Sequence, residues 1–336
     1  MQQKTPIILD PHFRKLDEIF EPGDLSRLKA MADVVWAKDE PMPEDELKQV
    51  KADAFAIVTG GWRHGPLDEL PNLRAIMEVS GRHPSPKHLD YQTCFSRGIR
   101  VLSCAPAFGP MVAEMALGLA LAASRLIVEG HNAFQAGEEI YLHRGNVGAF
   151  TLYGQTAGFI GFGGLARCLK PLLAPFGCNI LAYDPWLPDT YLKQQGVTPV
   201  DLDTLLETSR VIFVLAIPSA SNKAMLNREK LEKIRSDAVF ALISRSHLVD
   251  FEALTDLVRA GRFRAVIDVF PQEPLPKDHP IRQAPGAILS AHRAGSVAKD
   301  LRNIGRLVVD DIEAMLAGLP PMHMQVAQPE IVFRLD

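Results

Sequence analysis

The hydrophobic positions of the first third of the chain gather in short runs rich in β-branched residues, at 6–10 (PIILD), 54–58 (AFAIV), 73–80 (LRAIMEVS) and 99–103 (IRVLS). Segments of helical spacing such as PGDLSRLKAMA separate them, and a long apolar helix is expected near 111–128. After an irregular stretch the alternation restarts. Strands are predicted at 157–162, 179–184, 211–216, 238–244, 264–270 and 286–291, with helical segments such as GLARCLKPLLAPF and LVDFEALTDLVRAG among them. Strands alternating with helices imply parallel sheets covered by helices on both faces. Two such series predict an α/β chain of two doubly wound domains, and 336 residues exceed what one ordinary core holds. The closing VAKDLRNIGRLVVDDIEAMLAG reads as a long amphipathic helix that runs back to the first series.

Composition narrows the function classes. Hydrophobic residues at 47% and charged residues at 23% are ordinary for a soluble globular chain. A net charge of −4 gives no pull towards nucleic acid or anionic lipid, so neither partner is expected. The N-terminus MQQKTPIILD lacks the apolar core of a signal peptide. In the greasiest stretch, Met111 to Val128, Glu114 and Arg125 interrupt an apolar run too short to span a bilayer, which predicts a buried helix. Cys94, Cys104, Cys168 and Cys178 show no metal-ligand or redox spacing, so reduced thiols, no metal site and a cytoplasmic location are expected.

Chemistry first appears at TAGFIGFGGLARCLK, residues 156–170. Gly161-x-Gly163-x-x-Ala166 leaves a predicted strand and enters a predicted helix. In such a loop the first glycine allows the tight turn and the second lets a pyrophosphate approach the backbone. The small third residue lets helix and strand pack closely. Exposed N–H groups and the helix dipole then favour negative charge. Asp184 ends the next strand, 21 residues past Gly163, close to the spacing expected for a ribose contact. A carboxylate there repels a 2′-phosphate, and the following PWLPD brings no lysine or arginine, which favours NAD over NADP. The alternative is that Asp184 merely caps a turn before Pro185. No G-K-[ST] follows the loop, which excludes a Walker A site.

Ligands of open α/β sheets bind outside the carboxyl ends of the strands. Three of those ends carry polar groups: Arg245 after AVFALIS, Glu273 in the PQEP after RAVIDVF, and His292 after GAILSA. Hydride transfer to a ketone needs a proton delivered to the carbonyl oxygen, a task for histidine near neutral pH. A nearby carboxylate favours the imidazolium and fixes its ring. An arginine fork holds a substrate carboxylate and polarises the adjacent carbonyl. By position alone His247, two residues past Arg245, is as good a candidate as His292.

Taken together, LYGQTAGFIGFGGLAR, LISRSHLVD, IDVFPQEPLP and ILSAHRAG, in this order and spacing, resemble the nucleotide, arginine, glutamate and histidine motifs of the D-isomer-specific 2-hydroxyacid dehydrogenases. The likeness covers nearly the whole chain. It implies a Rossmann nucleotide domain (126–297) inserted into a discontinuous flavodoxin-like substrate domain (1–125 and 298–336), with a cleft between them. It makes Arg245 the substrate-binding arginine, Glu273 the histidine's partner and His292 the acid/base, so that His247 loses its claim. The NAD contacts expected are Gly161, Phe162, Gly163, Gly164, Leu165, Asp184, Pro185, Ala216, Ile217, Pro218, Ile243, Asp268 and Gly295. The substrate contacts expected are Ser80, Gly81, Arg82, Arg245 and His292. A homodimer joined through the nucleotide domain and the stretch near 130–150 is also implied.

Several positions depart from that pattern. Ser246 stands where the family has glycine, Ala291 where it has proline, and SGRHPSPKHLD where a shorter loop is usual. That loop adds Arg82, His83, Lys87 and His88, a charge set suited to a second carboxylate or a phosphate on the substrate, or simply a solvated loop. The expected activity is NAD-dependent interconversion of a small 2-oxo acid and its D-2-hydroxy acid. Two other readings stand beside it: an NADH-binding regulator of the same fold, and a formate dehydrogenase-like enzyme, to whose branch the PKDHP after Glu273 is similar although Glu273 itself argues against formate.

Overall fold

The computed structural model describes residues 4–335. Two compact units account for the chain, Met1–Phe108 with Ser296–Asp336, and Gly109–Gly295. The division falls at 108/109 rather than at 125/126. The reason is the helix Ala105–Ser124, whose Ala113, Ala116, Leu119, Ala120 and Ala123 pack in a core of the second unit. By length and composition this helix could cross a bilayer, yet half of it is buried within the protein.

The strands are numbered in chain order. In the first unit β1 (Pro6–Asp10), β2 (Asp33–Trp36), β3 (Ala56–Thr59), β4 (Ala75–Glu78) and β5 (Arg100–Ser103) lie parallel. The second unit holds β6 (Thr156–Ile160), β7 (Asn179–Tyr183), β8 (Thr198–Pro199), β9 (Val211–Val214), β10 (Val239–Leu242), β11 (Arg264–Ile267) and β12 (Ala287–Leu289). A last strand, β13 (Gln325–Val326), returns to the first unit and pairs antiparallel with β5. The sheet orders are β13-β5-β4-β3-β1-β2 and β12-β11-β10-β9-β6-β7-β8. The first contains the 2-1-3-4-5 order of flavodoxin-like sheets, the second the 3-2-1-4-5-6 order of dinucleotide folds.

Both faces of the second sheet are dry along its central strands. On β9, Ile212 and Val214 join one core, and Val211 and Phe213 the other. On β10, Phe240 and Leu242 face the first core and Val239 and Ala241 the second. A parallel strand covered on both sides must be apolar at every position, which is why these runs carry no alternation. The switch point lies between β6 and β9, paired through Ile160 and Val214. Strand order reverses there, so loops leaving the two strands diverge and open a crevice.

Candidate active site

The glycine loop occupies that switch point. Gly161 has φ +90°, a conformation that L side chains rarely adopt. A Cβ there would lie 2.6 Å from Ala216 Cα, so the loops after β6 and β9 touch through this glycine. Gly163 precedes the helix Gly164–Leu173 and supplies no side-chain cap. The first N–H groups of that helix therefore lack a protein partner, and a Cβ on Gly163 or Gly164 would meet nothing within 4 Å. Open space above uncapped N–H groups fits a pyrophosphate. Asp184 accepts from Phe162 N–H at 2.8 Å through Oδ2 and from Trp186 N–H at 2.9 Å through Oδ1. It thus ties the glycine loop to β7 and also makes the turn past Pro185, leaving lone pairs on both oxygens for ribose hydroxyls.

Histidine and glutamate, 19 residues apart in sequence, meet: His292 Nδ1 lies 2.7 Å from Glu273 Oε2. Glu273 Oε1 accepts from Phe270 N–H at 3.0 Å. Burial alone would push the Glu273 carboxyl up. The hydrogen bonds from His292 and Phe270, and the charges of His292 and Arg245, hold it below the usual carboxylate range. Arg245 directly follows Ser244, to whose carbonyl its Nη1 donates at 2.7 Å, and its guanidinium is near enough to act on Glu273. His247 instead pairs through Nε2 with the Ser219 carbonyl at 2.9 Å, a backbone tie that occupies its ring.

The backbone of His292 is itself left-handed, with φ +53°. Asp268, just past β11 and 1% exposed, holds it there. Its carbonyl accepts from His292 N–H at 2.8 Å, and its carboxylate accepts from Arg293 N–H at 2.9 Å and Ala294 N–H at 3.1 Å. The Asp268 carboxylate is therefore a clamp on the histidine loop. Ile243 is buried in the core rather than set at a surface. Ala216, Ile217 and Pro218 line the loop after β9, and Gly295 follows the histidine loop.

Ser80, Gly81 and Arg82 follow β4 in the first unit. Gly81 has φ +92°, and a Cβ on it would meet the Phe108 ring at 2.8 Å. The added loop charges separate here. His83 bonds the Gln325 carbonyl at 3.0 Å, and burial lowers its pKa, so it serves the fold. Lys87 and His88 are exposed. The residue missed by motif reasoning is Glu78, 1% exposed at the end of β4. The signal was present as a lone carboxylate in an otherwise apolar strand.

The family model described as "D-isomer specific 2-hydroxyacid dehydrogenase, NAD binding domain" matches residues 117–294. A glyoxylate reductase of Thermofilum pendens is 31% identical over 316 residues, 90% of each chain. A hydroxypyruvate reductase of Thermotoga maritima is 32% identical over 278 residues, 81% of this chain and 88% of that one. The crystal structure of a phosphoglycerate oxidoreductase from Rhizobium etli is 36% identical, with a TM-score of 0.86 over 97% of this chain and 99% of the other. The chain spans about half the length of D-3-phosphoglycerate dehydrogenases it also matches, 52% and 57% of two of them. With the family's nucleotide-binding region matched over more than half its length, the chain belongs to the D-isomer-specific 2-hydroxyacid dehydrogenases, NAD(P)-dependent oxidoreductases that act on CH–OH groups.

Proposed function

We propose that the protein reduces a small 2-oxo acid to the D-2-hydroxy acid, and oxidises it in reverse, with NADH as the preferred cofactor. The observation that carries this reading is the 2.7 Å contact between His292 and Glu273 on the sheet edge that also bears the glycine loop. Gly161, Phe162, Gly163, Gly164 and Leu165 hold the pyrophosphate, and Asp184 the adenosine ribose. Ala216, Ile217, Pro218 and Gly295 complete the cofactor's surroundings. NADH, when bound, supplies the hydride.

Arg245 grips the substrate carboxylate with two charge-assisted hydrogen bonds and so orients the adjacent carbonyl. His292 Nε2 donates the proton to the carbonyl oxygen as it becomes a hydroxyl. Glu273 holds the opposite ring nitrogen, so Nε2 faces the substrate in the donor state. In oxidation the same nitrogen takes the proton back. Asp268 keeps the histidine loop in place through the turnover. Ser80, Gly81 and Arg82 contribute further donors to the substrate carboxylate. The preference for NADH rests on Asp184 and on the absence of a cation in Pro185–Pro188.

We also read the protein as a homodimer. Phe134, Ile140, Tyr141, Leu142 and Val147 are large apolar side chains left exposed in one stretch of the second unit, the kind of patch that a second copy covers.

The test is NADH consumption with glyoxylate, hydroxypyruvate, pyruvate and 3-phosphohydroxypyruvate. His292→Ala is expected to lower turnover roughly 10²–10⁴-fold while NADH still binds. No consumption with any 2-oxo acid, or full activity in the variant, overturns the reading.

A further inference from the structure

At the end of β4, Glu78 is buried against the loop that carries Ser80. Ser80 N–H donates to its Oε1 at 2.8 Å, and the Ser80 hydroxyl sits 2.5 Å from its Oε2. A carboxyl group and a hydroxyl share such a contact in two ways. The ionised group only accepts, and takes the hydroxyl hydrogen. The neutral acid donates to the hydroxyl oxygen, and that oxygen's own hydrogen is then free to point elsewhere.

We propose that Glu78 is a positioning residue for the substrate: as the neutral acid it accepts the Ser80 N–H and donates to the Ser80 oxygen, turning the Ser80 hydroxyl hydrogen towards the substrate carboxylate. This rests on the reading of Ser80 as a substrate contact. When Glu78 releases its proton to solvent, the Ser80 hydroxyl swings back to the carboxylate. One donor is lost, and a negative charge appears behind the loop.

The surroundings favour the neutral form near neutrality. Burial is the largest influence and pushes the Glu78 carboxyl up to about 7, against the opposing pull of the two Ser80 bonds and of Arg82 and Arg14. The other groups facing it are Tyr91 and Cys104, both pushed up chiefly by their own burial and neutral throughout the working range. Arg14 is held in place by its stacking 5.8 Å from the Phe108 ring centroid and by Glu18 at 3.4 Å. Phe108 packs in turn on Gly81, so the same cluster fixes the loop on both sides of Ser80. With Glu78 neutral the cluster presents the two guanidinium charges of Arg14 and Arg82 to an anion. With Glu78 ionised one of them is offset.

The experiment measures oxalate binding to the protein–NADH complex by calorimetry, and KM for the best 2-oxo acid, from pH 6 to 9. Wild type is expected to lose affinity for oxalate roughly tenfold between pH 7 and 8.5, and KM to rise in parallel. Glu78→Gln cannot ionise, and its amide donates to the Ser80 oxygen while its carbonyl accepts the N–H, so this loss should vanish. Ser80→Ala removes the donor and should weaken oxalate about tenfold at pH 6.5, with a KM increase larger than any fall in kcat. Residue 292 and its partner Glu273 are the same in all three proteins, so the difference between profiles isolates residue 78. A Glu78→Gln profile with the wild-type slope, unaltered oxalate binding in Ser80→Ala, or no oxalate binding by the wild type overturns the proposal. Oxalate binding without NADH consumption on any 2-oxo acid would instead count against the proposed activity and leave this role for Glu78 standing.

Discussion

Replacing Gly161 by alanine isolates the turn on which the proposed cofactor site is built. The glycine sits at φ +90°, and a methyl group there would lie 2.6 Å from Ala216 Cα and 2.7 Å from Ala216 N. Ordinary contact begins near 3.4 Å, so one backbone must give way by about 0.8 Å. Neither has slack: Ile160 and Val214, the residues before each loop, are paired in adjacent central strands. The left-handed conformation costs about 1–3 kcal/mol for a side-chain-bearing residue, and a disturbed ladder bond adds about 1. The total, about 2–4 kcal/mol, appears as a melting temperature lowered by roughly 5–15 °C, as NADH affinity weakened roughly 30–700-fold, or as a division between the two. Gly163→Ala is the contrast. Its Cβ enters open space at φ −84°, so the unliganded protein should melt within about 1 °C of wild type. NADH should nonetheless bind at least about tenfold more weakly, because the methyl group stands where the proposed site admits the pyrophosphate. Thermal melts with and without NADH, and tryptophan fluorescence titration, read both quantities. If Gly161→Ala changes neither, the close-approach argument is wrong; if Gly163→Ala binds NADH like wild type, the pyrophosphate does not pass over that residue.

Three further outcomes are expected. Glu273→Gln keeps the side chain's shape but removes the charge from a contact that is partly solvent-exposed, and should lower kcat for reduction roughly tenfold at neutral pH, measured by NADH absorbance. Asp10→Asn should lower the melting temperature at pH 7 by about 4–8 °C, since it breaks a buried carboxylate's bonds to His64 at 3.0 Å and Arg63 at 2.7 Å. Burial alone would raise the Asp10 carboxyl, but those bonds hold it below its usual value. Its stabilising share is therefore present above the unfolded carboxyl's value near 4 and lost as pH falls through the lower folded one, a loss that melts of the Asn variant should not show. Light scattering should give twice the 37.0 kDa chain mass, and Leu142→Glu with Val147→Glu should give the chain mass alone.

Much of the architecture was readable because the central strands of both sheets are parallel and dry. Central strands such as Val211–Val214 and Val239–Leu242 announce themselves as unbroken apolar runs. The strands that escaped notice are those without such a core: Asp33–Trp36 at an open edge, only half-buried, and the two-residue Thr198–Pro199 and Gln325–Val326. No periodicity is measurable over two residues. At the site, the convergence of His292 and Glu273 was legible from strand-end logic, since loops at one end of a parallel sheet must gather. The task of Asp268 was not, because its two carboxylate bonds go to the backbone of residues 293 and 294, and backbone donors have no sequence signature. The fate of His83 was equally hidden. Its partner is a carbonyl 242 residues away, and the same histidine on a free loop would have read as substrate-facing charge.

The left-handed backbone of His292 carries one more consequence, for directed evolution. A non-glycine residue at φ +53° forgoes about 1 kcal/mol that glycine would recover. Selection for heat resistance alone should therefore drift towards glycine at 292 and lose the proposed proton donor, whereas, on that proposal, selection that also demands turnover must keep the imidazole and seek its tolerance to heat at other positions.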